Sequence, residues 1–138
     1  MDEKRYFELF GKALYHIDAI YAEFAKKSGI PPTLIWILYA LNDGRTHTQK
    51  DICYDWSLPK STVNTLIMDL KRKGYVDLIK VKGMRRDMEI VLTKNGQDFA
   101  DIVLTDIYKK ENEVFTKLDF NTEVFIDNLL KMEKYLEE

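Results

Sequence analysis

A short polar and cationic run, which follows Leu58 and Pro59, has the residue types of a surface that reads DNA. Its members are Lys60, Ser61, Thr62, Asn64 and Thr65. Asparagine can pair with adenine through two hydrogen bonds in the major groove, and serine and threonine contact base edges or phosphates. Lysine neutralises phosphates without reading sequence. We therefore expect Ser61, Asn64 and Thr65 to contact bases. Lys60 and Thr62 are expected to contact phosphates.

Apolar residues recur at a helical spacing within the same segment. They are Val63, Leu66, Ile67 and Leu70. This pattern predicts an amphipathic helix from Pro59 to about Lys73, with its polar start exposed. A short helix from Thr48 to about Trp56 would brace it across a tight turn, which makes a helix-turn-helix. An ordinary solvated helix face is the alternative interpretation of the polar run.

Arg85 and Arg86 lie at the tip of a predicted β-hairpin. Its strands are expected at Val76 to Val81 and at Met88 to Leu92. Arginine at such a tip gains from the concentrated negative potential of a minor groove, and Lys82 would add a phosphate contact. A solvated hairpin tip is the alternative.

The charge distribution favours the same surface. The net charge is −2. From Arg45 to Gly96, however, 11 basic residues stand against six acidic ones, a balance of +5, whereas the remainder carries −7. A basic middle between acidic ends is the pattern expected when only the middle faces nucleic acid.

Long helices are predicted on both sides of this middle segment. The N-terminal one has apolar residues at alternating steps of three and four, namely Phe7, Phe10, Leu14, Ile17, Tyr21 and Phe24. A helix from about Lys94 to Lys117 precedes a last helix with Phe125, Leu129, Met132 and Leu136 on one face. Such faces pack along other helices, and in so small a chain they need each other or a second subunit.

Several motifs resemble the MarR family of winged helix-turn-helix regulators. They are Ile52-Cys53, Leu58 to Asn64, Leu70 to Val76, Arg85-Arg86, and the Leu-Thr-x-x-Gly run from Leu92 to Gly96. Met84 stands where the family usually has Asp, and Cys53 where it prefers Ala. The resemblance implies a triangular homodimer that binds a pseudo-palindromic operator. It also implies release of DNA by a small, often aromatic, effector.

The predicted fold is mainly α with a small β-hairpin wing, a winged helix-turn-helix flanked by N- and C-terminal dimerisation helices. Residues 1–138 would form one domain, with the reading head at about 33–94 and dimerisation helices at about 3–27 and 95–137. The predicted function is sequence-specific regulation of transcription by a homodimer on double-stranded DNA, mostly by repression. The alternative is a winged-helix module that binds a protein partner and has little specific DNA binding.

Other classes of function find little support in the sequence. There is no Gly-rich phosphate loop, no His-rich metal motif and no Gly-x-Ser-x-Gly, so we expect neither an enzyme nor a cofactor. The single cysteine, Cys53, is expected in the core. No apolar stretch matches a membrane span, and the start lacks a signal core, so a cytoplasmic protein is expected.

Phe7, Phe10, Tyr15, Trp36 and Tyr39 could line an effector pocket, although aromatic residues at helical spacing are more often plain core or interface.

Overall fold

Six helices and three short strands form the described part of the chain, which comprises residues 2–83 and 88–138 of a computed structural model. Their order is α1 (Glu3–Ser28), α2 (Pro32–Leu41), β1 (His47–Thr48), α3 (Gln49–Asp55), α4 (Lys60–Arg72), β2 (Val76–Lys80), β3 (Met88–Leu92), α5 (Lys94–Lys117) and α6 (Thr122–Glu137). The contacts divide the chain into two units, one ending at Ile107 and the other spanning Tyr108–Glu138. Within the described residues, no helix is both long and apolar enough to cross a bilayer.

Local capping explains where the first two helices begin and end. The Asp2 carboxylate accepts a hydrogen bond from the Arg5 backbone N–H at 2.9 Å, which satisfies one free donor of α1. Gly29 ends α1 with φ of 70°, a left-handed conformation that glycine adopts without a steric penalty. Pro32 then occupies the first turn of α2, where its missing N–H costs nothing.

The core of the first unit surrounds α2, which is apolar throughout. Six of its ten residues are buried, among them Ile37 and Leu38 at 0% exposure. The remaining core residues come from every neighbouring element, chiefly Ala25, Ile52, Val63, Ile67, Leu70, Val76, Ile90, Ala100, Val103, Leu104 and Ile107. Helix α2 is therefore a buried helix at the centre of this core.

The sheet has three strands in the order β1-β3-β2, all antiparallel. The sequence predicted only the hairpin of β2 and β3, in which Leu78 lies opposite Ile90. The additional strand β1 pairs His47 with Ile90 and Thr48 with Glu89. A two-residue strand has no periodicity to detect, so only its pairing with β3 identifies it.

The Leu-Thr-x-x-Gly motif joins α5 to the turn that follows α4. The Thr93 hydroxyl donates to the carbonyl of Gly74 at 2.6 Å and accepts from the N–H of Gly96 at 3.0 Å. The Thr93 N–H also donates to the Tyr75 carbonyl at 3.0 Å. Gly96 lies directly against Tyr75, and a Cβ at Gly96 would overlap the Tyr75 carbonyl oxygen. The motif is therefore a close backbone junction, in which glycine is required by space.

Large apolar side chains remain exposed on α1 and in the second unit. Leu14 and Ile17 of α1 are 53% and 52% exposed, and α6 has no buried residue. Exposed apolar faces of this kind mark interaction surfaces on soluble proteins. The division into a reading head at about 33–94 and dimerisation helices on either side stays a prediction.

Replacing Gly96 by Ala should destabilise the protein strongly, because the new methyl group overlaps backbone that cannot rotate away. We expect the free energy of unfolding to fall by about 3 kcal/mol or more, the upper end of typical overpacking costs. The measurement is urea unfolding at a matched protein concentration. Asn95→Ala is the control, since Asn95 is exposed in the same helical turn, and its effect should stay within about 0.5 kcal/mol. Equal stabilities of the two variants would contradict the close junction.

Candidate nucleic-acid interface

Helix α4 has one buried face and one exposed face. Val63, Ile67 and Leu70 are 0%, 1% and 2% exposed, which fixes the rotation of the helix about its axis. The opposite face must then point to solvent, because successive residues of a helix are about 100° apart. The predicted helix from Pro59 to about Lys73 is observed as Lys60–Arg72, with Pro59 and Lys73 as its caps.

The five predicted contact residues of α4 lie together at its start. Lys60, Ser61, Asn64 and Thr65 are exposed, and Thr62 is half-buried. The Thr65 hydroxyl donates to the Ser61 carbonyl at 3.0 Å, so it has no proton left for a base. Thr65 therefore offers an acceptor oxygen and a methyl group, which suits contact with a thymine methyl. Asn64 is the residue of this group that can pair bidentately with adenine.

The start of α4 is electrostatically positive. Pro59 provides no side-chain cap, and no acidic residue occurs in the first turn. The free backbone N–H groups and the positive end of the helix dipole thus remain available to an anion such as a phosphate. Among the described residues, Lys60 forms no ion pair.

At the other end of α4, two of the three cations, Arg72 and Lys73, are paired. Asp69 accepts from Lys73 at 3.0 Å and also pairs with Arg72. The hydrogen bonds from Lys73 and Arg72 lower the pKa of the Asp69 carboxyl below its usual value. Lys71 is exposed at this end and is in no ion pair among the described residues, so the positive charge there is only partly neutralised.

Helix α3 braces α4 through a strained turn. Thr48 caps α3 in a reciprocal box with Asp51, each side chain bonding the other's backbone N–H at 3.1 Å. Ile52 is buried, and the N–H of Leu58 donates to the Cys53 carbonyl at 3.0 Å. Ser57, in the turn, has φ of 49°, a conformation that costs a non-glycine residue roughly 1–2 kcal/mol.

The wing residues are only partly within the described chain. Lys82 is exposed beside the hairpin, as a phosphate contact requires. Arg85, Arg86 and Met84 lie outside the described residues, so the wing contacts predicted for the two arginines stay predictions. The strands that carry the tip end at Lys80 and begin again at Met88.

A groove of about 650 Å³ separates α4 from α3 and the sheet. Its lining residues are Thr48, Gln49, Lys50, Cys53, Lys60, Asn64, Met68, Leu78, Met88 and Ile90. Sequence reasoning missed Gln49 and Lys50, which share the groove with the predicted residues Lys60 and Asn64. Their position directly after the Thr48 cap was the available signal, because the first helix of a helix-turn-helix crosses the DNA backbone.

Cys53 was predicted in the core but is half-buried on the groove wall. In a helix as short as α3, some residues lie at the boundary between the buried face and the exposed face and are therefore only half-buried.

The five aromatic residues predicted for an effector pocket do not share one environment. Trp36 and Tyr39 belong to a cluster in which Trp36 stacks on Trp56 at 5.4 Å between ring centroids. Phe7 and Tyr15 are 52% and 77% exposed, and Phe10 is half-buried. The three residues on α1 thus lie along a mainly exposed helix, and a pocket built from all five stays a prediction.

His47, the first residue of β1, bonds to the loop that precedes this strand. Its Nε2 lies 2.9 Å from both carboxylate oxygens of Asp43. Burial opposes ionisation of Asp43, but the bonds from His47 and from the Arg45 backbone outweigh it and lower the pKa of this carboxyl. Within residues 2–83 and 88–138, no group of three or more His, Cys, Asp or Glu side chains could hold a metal ion.

Comparison with known proteins finds similarity to regulators of one family. A sequence model described as MarR family matches residues 28–87. The HTH-type transcriptional regulator SarZ of Staphylococcus epidermidis is 26% identical over 109 residues, which are 79% of this chain and 73% of SarZ.

Solved structures extend the likeness to nearly the whole chain. A MarR family regulator from Neisseria meningitidis aligns with a TM-score of 0.81 at 24% identity, covering 99% of this chain and 95% of that one. Reduced AbfR bound to DNA aligns with a TM-score of 0.71 at 24% identity, covering 99% and 97%. The predicted winged helix-turn-helix with flanking helices, and the resemblance to the MarR family, are thereby confirmed.

Ser57 allows a test of the turn that orients α4. Glycine adopts positive φ freely, whereas valine is strongly disfavoured there. We expect the free energy of unfolding of Ser57→Val to be about 1–2 kcal/mol lower than that of Ser57→Gly. At Thr65, which is helical in α4, the same pair should show the opposite order, because glycine is the poorer helix former. Urea unfolding of the four variants measures both differences, and the same order at both positions would contradict a strained turn.

Proposed function

On this MarR-type fold, we propose that the protein is a sequence-specific DNA-binding regulator of transcription that acts as a homodimer. The observation that carries the proposal is the partition of α4. Val63, Ile67 and Leu70 on its apolar face are at most 2% exposed. Ser61, Asn64 and Thr65 are exposed beside an uncapped helix start. A helix of this kind can enter a major groove with its N-terminal residues towards the bases.

The proposed contacts divide into reading and positioning. Ser61, Asn64 and Thr65 would read base edges, with Asn64 giving the most specific contact. Lys60 and Thr62 would hold phosphates at the start of α4. Lys50, which forms no ion pair among the described residues, lines the groove shared with Lys60 and adds a cation from α3. Positioning contacts of this kind supply affinity that falls steeply with salt.

The wing completes the proposed interface. Lys82 is exposed next to the hairpin tip. We place Arg85 and Arg86 in the neighbouring minor groove, where a narrow groove concentrates negative potential. Reduced AbfR, which shares the fold, is a protein whose structure is bound to DNA. That likeness supports the proposed mode of binding without supplying the contacts.

Dimerisation is proposed from the apolar residues that the single chain leaves exposed. On α1 these include Leu14, Ile17 and Ile20, each more than half exposed, and on α6 they include Phe125 and Leu130. Burial of apolar surface gains about 25 cal/mol per Å², so faces of this size favour a second copy. A dimer would present two α4 helices to half-sites one helical turn apart, about 34–36 Å.

We further propose that the protein represses transcription and that a small effector releases it from DNA. A dimer seated on a promoter blocks access by steric exclusion, which supports repression. The effector would be small and often aromatic, as the resemblance implies. The cluster of Trp36, Tyr39 and Trp56 is the apolar, partly accessible surface of the head that suits such a ligand best.

Asn64→Ala and Lys60→Ala should weaken DNA binding in different ways. Loss of a bidentate base contact costs about 1–3 kcal/mol and relaxes specificity at one position. Loss of a phosphate contact weakens all sequences alike and reduces the salt slope of log K by about 1. Fluorescence anisotropy on operator and random duplexes at several salt concentrations measures both effects.

Lys131→Ala provides the control for charge, since Lys131 lies on α6 and pairs with Asp127. It should leave both the affinity and the salt slope unchanged. The operator fragment should come from DNA that the protein retains from its own genome. If the protein bound this fragment no better than random duplex at moderate salt, sequence-specific regulation would be excluded.

Ile17→Glu should dissociate the proposed dimer, because it places a charge in the apolar face of α1. Ala19→Glu is the matched control, as Ala19 is also exposed on α1 but lies about 200° around the helix axis. Sedimentation equilibrium should show monomers for Ile17→Glu and dimers for Ala19→Glu and the parent protein. A parent protein that sediments as a monomer at all concentrations would exclude the dimer.

A further inference from the structure

Of the described residues, three with sulfur-containing side chains line the groove between α4, α3 and the sheet. Cys53 comes from α3, Met68 from α4 and Met88 from the start of β3. Cys53 is the only cysteine of the chain, and it is half-buried on the groove wall. Met68 and Met88 are 44% and 39% exposed, so neither is held in the core. Fifteen to twenty residues separate these positions in sequence, and only the fold brings them to one cavity.

The donor set of the groove is that of a soft metal ion. Thiolate and thioether ligands select Cu(I), whereas magnesium and calcium require several oxygen ligands. Among the described residues that line the groove there is no carboxylate or imidazole, so these residues offer zinc only one of the ligands it prefers. Methionine has three rotatable bonds and a polarisable sulfur, so Met68 and Met88 can turn towards a shared ion.

The charges around the groove favour a monovalent ion. Lys50 and Lys60 both line it, and they would repel a divalent cation. A Cu(I) ion bound to the Cys53 thiolate adds no net charge, because the thiol loses one proton to solvent as the sulfur–copper bond forms. No electron is transferred in this step. Coordination by the two thioethers adds no charge either.

We propose that Cys53, Met68 and Met88 form a Cu(I) site that controls DNA binding by α4. The regulatory part rests on the proposed function, whereas the metal site does not. Lys60, Asn64 and Met68 follow one another at four-residue spacing, so a single stripe of α4 faces the groove. An ion that draws Met68 towards Cys53 and Met88 changes how this stripe meets DNA. Cu(I) therefore lowers the affinity for the operator.

The test uses the full, reduced chain under anaerobic conditions. Cu(I) is supplied from a colorimetric Cu(I) chelator, and Ag(I) serves as a probe with no redox chemistry. We expect one ion per chain and the release of one proton. Cys53→Ser should abolish this step, and Met68→Leu and Met88→Leu should each weaken it. Leucine conserves the volume of methionine, so both variants should fold. Met132→Leu on α6 is the matched control and should bind as the parent does.

DNA binding is then measured with and without Cu(I). We expect the ion to lower operator affinity by about 5- to 150-fold, the usual range of coupling between two sites, with full recovery when excess chelator is added. The Cys53→Ser variant should bind operator without responding to copper. Equal metal binding by the parent and the Cys53→Ser variant would overturn the site, while leaving the proposed function intact. Tight metal binding with unchanged operator affinity would overturn the regulation. Metal binding by a protein with no operator preference would overturn the proposed function alone.

Discussion

The rotation of α4 about its axis is the constraint on which the interface depends. Val63, Ile67 and Leu70 contribute three almost fully buried side chains to the core, and burial of each is worth roughly 1.5–3 kcal/mol. Turning α4 by one residue would expose all three, so its outward face has no freedom to change. Ser61 and Thr65 project from the surface because their neighbours are fixed inside. The energy that folds the head therefore also orients the residues that face solvent.

Two local devices keep that helix in place at its ends. At its start, the capped helix α3 and the left-handed Ser57 set the angle at which the chain enters α4. At its end, Gly74 and Tyr75 accept hydrogen bonds from Thr93, and Gly96 allows α5 to approach within backbone contact. The contacts of Thr93 and Gly96 with Gly74 and Tyr75 thus join α4, β2 and α5.

The same chain separates its charges and its apolar surface. Basic residues outnumber acidic ones between Arg45 and Gly96, whereas α1 and α6 carry exposed apolar side chains. In the proposed function, phosphates attract the first surface, and burial of apolar area away from water drives association through the second. Because the two proposed forces act on different elements, DNA binding and self-association would not compete for the same residues. The groove with Cys53, Met68 and Met88 lies within the basic segment and adds a third, softer chemistry.

The sequence alone determined the properties that depend on near neighbours along the chain. The helical period of Val63 to Leu70 predicted α4, and Thr48 predicted the start of α3, because capping and amphipathicity act within a few residues. Only the tertiary structure decided the pairing of β1 with β3, the placement of Cys53 on a groove wall and the division of the predicted pocket residues. Each of these joins positions far apart in the chain. Which distant residues meet depends on how all elements share one core, and no short pattern records that.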